Sequence, residues 1–104
     1  MANETVENTN VKEVKLKVPK TFDGHEVTKI VLDFNNMTGV DVMKVDKELR
    51  EEGYPYGFDT IWNQNAVLKL AARAAKMLPE DIKKLHAGDY MEVTFQTRNF
   101  FVGW

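Results

Sequence analysis

Neither cysteine nor serine occurs in this 104-residue chain. Disulfides, thiolate metal sites and the serine and cysteine nucleophiles of covalent catalysis are therefore all excluded, and the lack of cysteine fits a reducing compartment. Only two histidines are present. His25 lies beside an Asp-Gly turn and His86 at a helix boundary, and neither has a partner at the spacing a metal site needs. Carboxylates for acid and base work could come from Asp33, Asp41 or Asp59, but nothing in the sequence pairs them. A charge excess of either sign is missing too, since 14 Lys and Arg face 16 Asp and Glu for a net of -2. Affinity of the whole domain for nucleic acid is thereby disfavoured, and the lysine group Lys15, Lys17 and Lys29 is diluted by Glu13 and Asp33. No apolar run approaches the roughly 20 residues of a membrane span. The amino terminus also lacks the basic and apolar regions of a signal peptide. The expectation is a cytoplasmic, non-membrane protein with no catalytic residues, no metal and no cofactor.

What is present begins with a polar lead-in, residues 1–11, rich in Asn, Glu and Thr and expected to be disordered. A single domain is expected over residues 12–104. Val14, Leu16 and Val18 alternate with Glu13, Lys15 and Lys17, and Ile30, Leu32 and Phe34 alternate with Val31 and Asp33. Asp23-Gly24 lies between the two runs and makes them a hairpin, with Pro19 suited to an edge position. Residues opposite each other in an antiparallel pair share a face, so a two-residue Asp23-Gly24 loop would oppose Leu16 to Val31 and mix the faces. A three-residue loop, Phe22-Asp23-Gly24, keeps Leu16 with Ile30 or Leu32 and is the expected form. Val27 and Val31 then share the opposite face and are candidates for a self-association edge.

Beyond the hairpin, Thr38 is the expected N-cap of a helix carrying Val42, Val45 or Asp46, and Leu49, with Gly53 as its stop. Tyr54-Pro55-Tyr56-Gly57-Phe58 is a loop with three aromatics in five positions, which either caps the core or meets a partner. Asp59 or Thr60 is expected to cap an alanine-rich helix running to Leu78. Its apolar positions cover half the circumference or more, so it should be central and packed on more than one side. Its polar stripe, Asn65, Lys69, Arg73 and Lys76, is expected to be solvated, with Trp62 along the same stripe. Pro79, Glu80 and Asp81 open a short helix that buries Ile82 and Leu85. Residues 90–102 fit two patterns. Met91, Val93, Phe95 and Thr97 alternate as in a strand, whereas Tyr90, Val93, Thr94, Thr97, Phe100 and Phe101 share one face of a helix.

Taken in order, several features form a recognisable series: the Leu16-to-Gly24 segment with its Phe-Asp-Gly turn, the polar break into Thr38-Gly39, and the alanine-rich helix. Leu78-Pro79, Leu85-x-x-x-Asp89 and the terminal Phe100-Phe101 complete it. The series resembles the tail assembly chaperones of long-tailed bacteriophages, and is similar to the Mu and P2 type E proteins and their siphophage relatives. The resemblance covers almost everything after Lys12. It implies a helical final segment, and hence an α+β fold in which an N-terminal β-hairpin packs on a small C-terminal bundle of about four helices.

The resemblance also implies a role without catalysis. Such a chaperone self-associates as a homo-oligomer, binds the tape measure protein and keeps it soluble, and is displaced as tail tube protein polymerises. It works in the host cell cytoplasm during infection or prophage induction and is absent from the mature virion. In many relatives a frameshifted longer form recruits the tail tube protein. Flexible methionine and aromatic surface suits contacts that must later be released. Tyr54, Tyr56, Phe58, Trp62, Phe101 and Trp104 are the candidate partner-binding residues. The alternative is a small nucleic-acid-binding module or another phage structural or interaction module.

Overall fold

Asp23 and Gly24 both adopt positive φ, 50° and 81°, the left-handed pair of a two-residue type I′ turn. The turn joins β1 (Val11–Phe22) to β2 (His25–Asp33) and sets Phe22 directly opposite His25. The computed structural model describes residues 10–104; of the lead-in read as disordered, residues 1–9 lie outside the described residues.

The expected three-residue loop is therefore corrected to two. The demand behind it, that the apolar faces stay together, is met farther along the hairpin. From the turn the pairs run through Lys20 and Val27, then the register shifts, and it resumes at Lys15 opposite Lys29. Residues 16–19 of β1 thus face Thr28 alone on β2. Three surplus residues are an odd number, so the bulge exchanges the faces of β1 relative to β2. Val14 ends up opposite Ile30, and both are buried. Pro19, with no N–H to give, falls within the bulge.

Thr38 caps α1 (Gly39–Glu51) as expected, and the Asp41 side chain completes a capping box with it. The next helix starts later than expected. Asp59 accepts a bond from the Asn63 side chain and the Thr60 hydroxyl accepts the Trp62 N–H, so short polar side chains fold 59–63 into a turn. Asn63, rather than Asp59 or Thr60, caps α2 (Gln64–Ala75) by accepting the N–H groups of Asn65 and Ala66. Lys76 in the left-handed conformation ends that helix, and Pro79 opens α3 (Pro79–Lys83).

The last segment is helical, α4 (Ala87–Val102). Its threonines, which favour strands, are accommodated because the Thr94 hydroxyl donates to the carbonyls of Tyr90 and Met91 and Thr97 donates to Val93. Both threonines are fully buried, while Met91 and Phe95, which a strand would place beside Val93, face solvent.

The fold is the hairpin followed by four helices, an α+β arrangement. α2 is central, packing against α1, α3, α4 and β2. Its buried Ala66, Ala71, Ala72 and Ala74 let these neighbours approach closely. One core cluster joins hairpin residues such as Ile30 and Leu32 to Leu68, Ile82 and Val93, and a second joins Val45 and Leu49 to Ala66 and Leu70. Met37 and Phe101 pack against both. Among the described residues no helix is long and apolar enough to cross a membrane.

Candidate functional site

The carboxyl end of α4 returns to the end of β2 and builds an aromatic cluster there. Phe34 is buried, and Phe100 stacks on it with ring centroids 4.2 Å apart and planes 7° from parallel. Phe101 meets Phe34 edge-on at 5.5 Å and Phe100 at 5.0 Å. Trp104 tilts over Phe100 at 5.6 Å and is 86% exposed. The four rings thus run from core to solvent. Beside them a groove of about 350 Å³, lined by Met37, Val42, Phe100, Phe101 and Trp104 among others, separates the cluster from the start of α1. Phe101 and Trp104, both candidate partner-binding residues, hold different positions: Phe101 is half-buried against both core clusters, and Trp104 stands free of them.

The aromatic loop is held from α1. Asp46 accepts the Phe58 N–H at 2.8 Å and the Arg50 Nε–H at 3.0 Å, and Arg50 also donates to the Pro55 carbonyl. The Phe58 backbone bond, then the Arg50 bond, keep the Asp46 carboxyl below the usual carboxylate range. Gly57 lies under this clamp at φ 56°, where an added Cβ would run into the Asp46 and Arg50 side chains. Phe58 turns inward against the second cluster, while Tyr54 and Tyr56 face solvent. Trp62 is exposed in the turn before α2 rather than on the helix itself.

The two valines of the candidate edge are not equivalent. Val31 is exposed, but Val27 is half-buried and packs with Phe22 against the first core cluster, on the turn side of the register shift. Of the basic stripe expected to be solvated, Lys69 and Arg73 are covered by acids of α1 and its end, while Lys76 is exposed. Lys69 pairs with Glu52 at 2.8 Å and Glu48 at 3.4 Å, and Arg73 with Asp41 and Glu48 at 3.2 Å each. Burial opposes the Lys69 charge, yet the bonds to Glu52 and Glu48 outweigh it and raise its pKa.

Asp89, part of the Leu85-x-x-x-Asp89 feature, is a positioning residue whose bonds to the hairpin no local pattern announces. It is buried in the first turn of α4, and its two oxygens accept the N–H groups of Lys17 and Val18, each at 3.0 Å. Those donors lie in the bulge, where the strand ladder offers no partner. The two backbone bonds hold its carboxyl below the usual range against the opposing effect of burial, helped by the charges of His86 and Lys17. The other candidate acids serve their own local turns: Asp33 accepts the Asn35 N–H, Asp41 completes the α1 capping box, and Asp59 accepts the Asn63 amide. His86 caps α4 by accepting the Gly88 N–H. Among the described residues no group of three or more His, Asp or Glu could hold a metal ion.

A family model described as phage tail assembly chaperone proteins, E, or 41 or 14, matches residues 13–102. No curated protein and no solved structure gives a match.

Proposed function

The chain belongs to the phage tail assembly chaperone family, and from that membership we propose that it is a non-enzymatic chaperone that self-associates, binds the tape measure protein and keeps it soluble. It acts in the host cell cytoplasm, as one domain over residues 12–104, and leaves before the virion is mature. Tail tube protein is the second partner, met through a longer frameshifted form.

The observation that carries this reading is the ring series ending in Trp104, which presents a nearly free indole beside an apolar groove. A client with exposed apolar helices is held best by aromatic anchors seated next to such a groove. Tyr54, Tyr56 and Trp62 add exposed rings at separate places, which favours many moderate contacts over one deep pocket. Self-association draws on the exposed hairpin edge near Val31, since a two-stranded sheet leaves backbone groups unpaired on both sides. The test is co-expression of the chain with the tape measure protein of the same phage. Soluble tape measure that depends on the chaperone, and falls when Trp104 is replaced by Ala at equal folded chaperone, supports the reading; no dependence on the chaperone refutes it.

A further inference from the structure

We infer that the outer face of α1 seats an amphipathic client helix whose apolar stripe is flanked by Asp or Glu; the inference rests on the chaperone reading above. The charges of α1 are sorted by side. Asp41 and Glu48, with Glu52 just past the helix end, are committed to Arg73 and Lys69 of α2, and Asp46 is committed to Arg50. Lys44 and Lys47 have no ion-pair partner among the described residues, and both line a shallow depression along the outer face. Glu51 is the one acid there without a partner among the described residues, so the free charge of this face is positive on a chain whose net charge is -2.

Two apolar side chains share this face with the lysines. Val40 is 60% and Met43 66% exposed, although both sit in the first turns of a helix that buries Val45 and Leu49 on its other side. At 100° per residue, Met43, Lys47, Val40 and Lys44 fall within roughly 100° of one another, a single outward stripe. The depression meets the aromatic groove at Gly39, which lines both. One track therefore runs from Trp104 past the start of α1 and along its outer face to Glu51. Along α1 it offers about 20 Å, at 1.5 Å per residue enough for three to four turns of a docked helix. Apolar anchors interleaved with lysines select a helix that carries acids beside its apolar positions.

Overlapping peptides of the tape measure protein, titrated against the purified chain by fluorescence anisotropy, provide the test. Peptides that bind are expected to carry apolar residues at helical spacing beside Asp or Glu. The double variant Lys44→Glu, Lys47→Glu should weaken them about tenfold or more, and reversing the acids of the peptide to Lys should restore binding. Lys76→Glu, at the exposed residue just past the end of α2, is the control and should change little. Unchanged affinity of the double variant, or bound peptides with basic flanks, would overturn the inference. So would loss of self-association with peptide binding intact, which would give this face to a second copy of the chain. If Trp104→Ala weakens binding and the lysine variant does not, the chaperone reading stands and only the acidic-flank inference falls. If no peptide binds and co-expression yields no soluble tape measure, both fall.

Discussion

Asp89 reaches from the first turn of α4 to the backbone of Val18, with Oδ2 3.0 Å from the nitrogen, while its other oxygen takes the Lys17 N–H. One side chain thus ties the last helix to the bulge that sets the hairpin register. The register in turn decides whether Val14 and Leu16 point into the core. Asp89→Asn should lower the melting temperature, because one N–H would then face an amide NH2 in place of an oxygen, and Asp89→Ala should lower it further. Glu13→Gln, at an exposed ion pair with Lys29, is the control and should change little. Thermal unfolding of the three variants checks this; equal shifts for Asp89→Ala and Glu13→Gln would contradict it.

The same contacts predict a pH dependence. Asp89 and Asp46 both have folded pKa values below their unfolded ones. Their contribution is therefore fully present above the unfolded carboxylate pKa of about 3.9 and is lost as pH falls through the lowered folded values. The melting temperature of the wild type should drop steeply below about pH 4, and the double variant Asp46→Asn, Asp89→Asn should show a flatter acid limb. Parallel acid limbs would show that these carboxylates do not carry the effect. Lys69 has the opposite sign: its raised pKa adds stability below about pH 10.4 that is lost as pH rises through the folded value.

Gly57→Ala should cost on the order of 1 to 3 kcal/mol, since φ is positive there and the new methyl group collides with Asp46 and Arg50. The damage should be local. Amide exchange is expected to rise across 54–58 and leave α4 protected, and a uniform rise over the whole chain would argue against a separate loop clamp.

The two carboxyl-terminal aromatics should divide by role. Phe101→Ala should lose roughly 2 kcal/mol or more of stability, because the ring packs against both core clusters. Trp104→Ala should leave stability within about 0.5 kcal/mol. Chemical denaturation of each variant decides, and a marked loss for Trp104→Ala would place that ring in the fold instead.

How far the sequence carried these conclusions depends on whether the deciding contact is local. Thr38 with Asp41, Pro79, and the Asp23-Gly24 turn all act within a few residues, and their elements were legible. The turn length was not, because the alternation of Leu16 with Ile30 can be rescued either by an odd loop or by an odd bulge. The bulge is held by Asp89, more than 70 residues along the chain from Lys17. α2 began later than expected because Asp59 and Thr60 close a turn with their side chains in place of a cap. For α4, periodicity was ambiguous until the hydroxyls of Thr94 and Thr97 found carbonyls of their own helix. At the candidate site the surplus of aromatic residues was visible, but not its division, since Phe101 and Trp104 differ only in what folds against them. Lys69 and Arg73 of α2 looked solvated because the acids that cover them come from α1 and the residue just past its end.

The most direct test of the chaperone account is the soluble yield of tape measure protein co-expressed with wild-type chain, with Trp104→Ala and with Phe101→Ala, normalised to folded chaperone. The account predicts that wild type raises the yield and that Trp104→Ala lowers it by a loss of about 1 to 3 kcal/mol in association. Phe101→Ala should act mainly through the amount of folded chaperone. A yield that is the same with and without the chain, or the same for wild type and Trp104→Ala at equal folded protein, would contradict it.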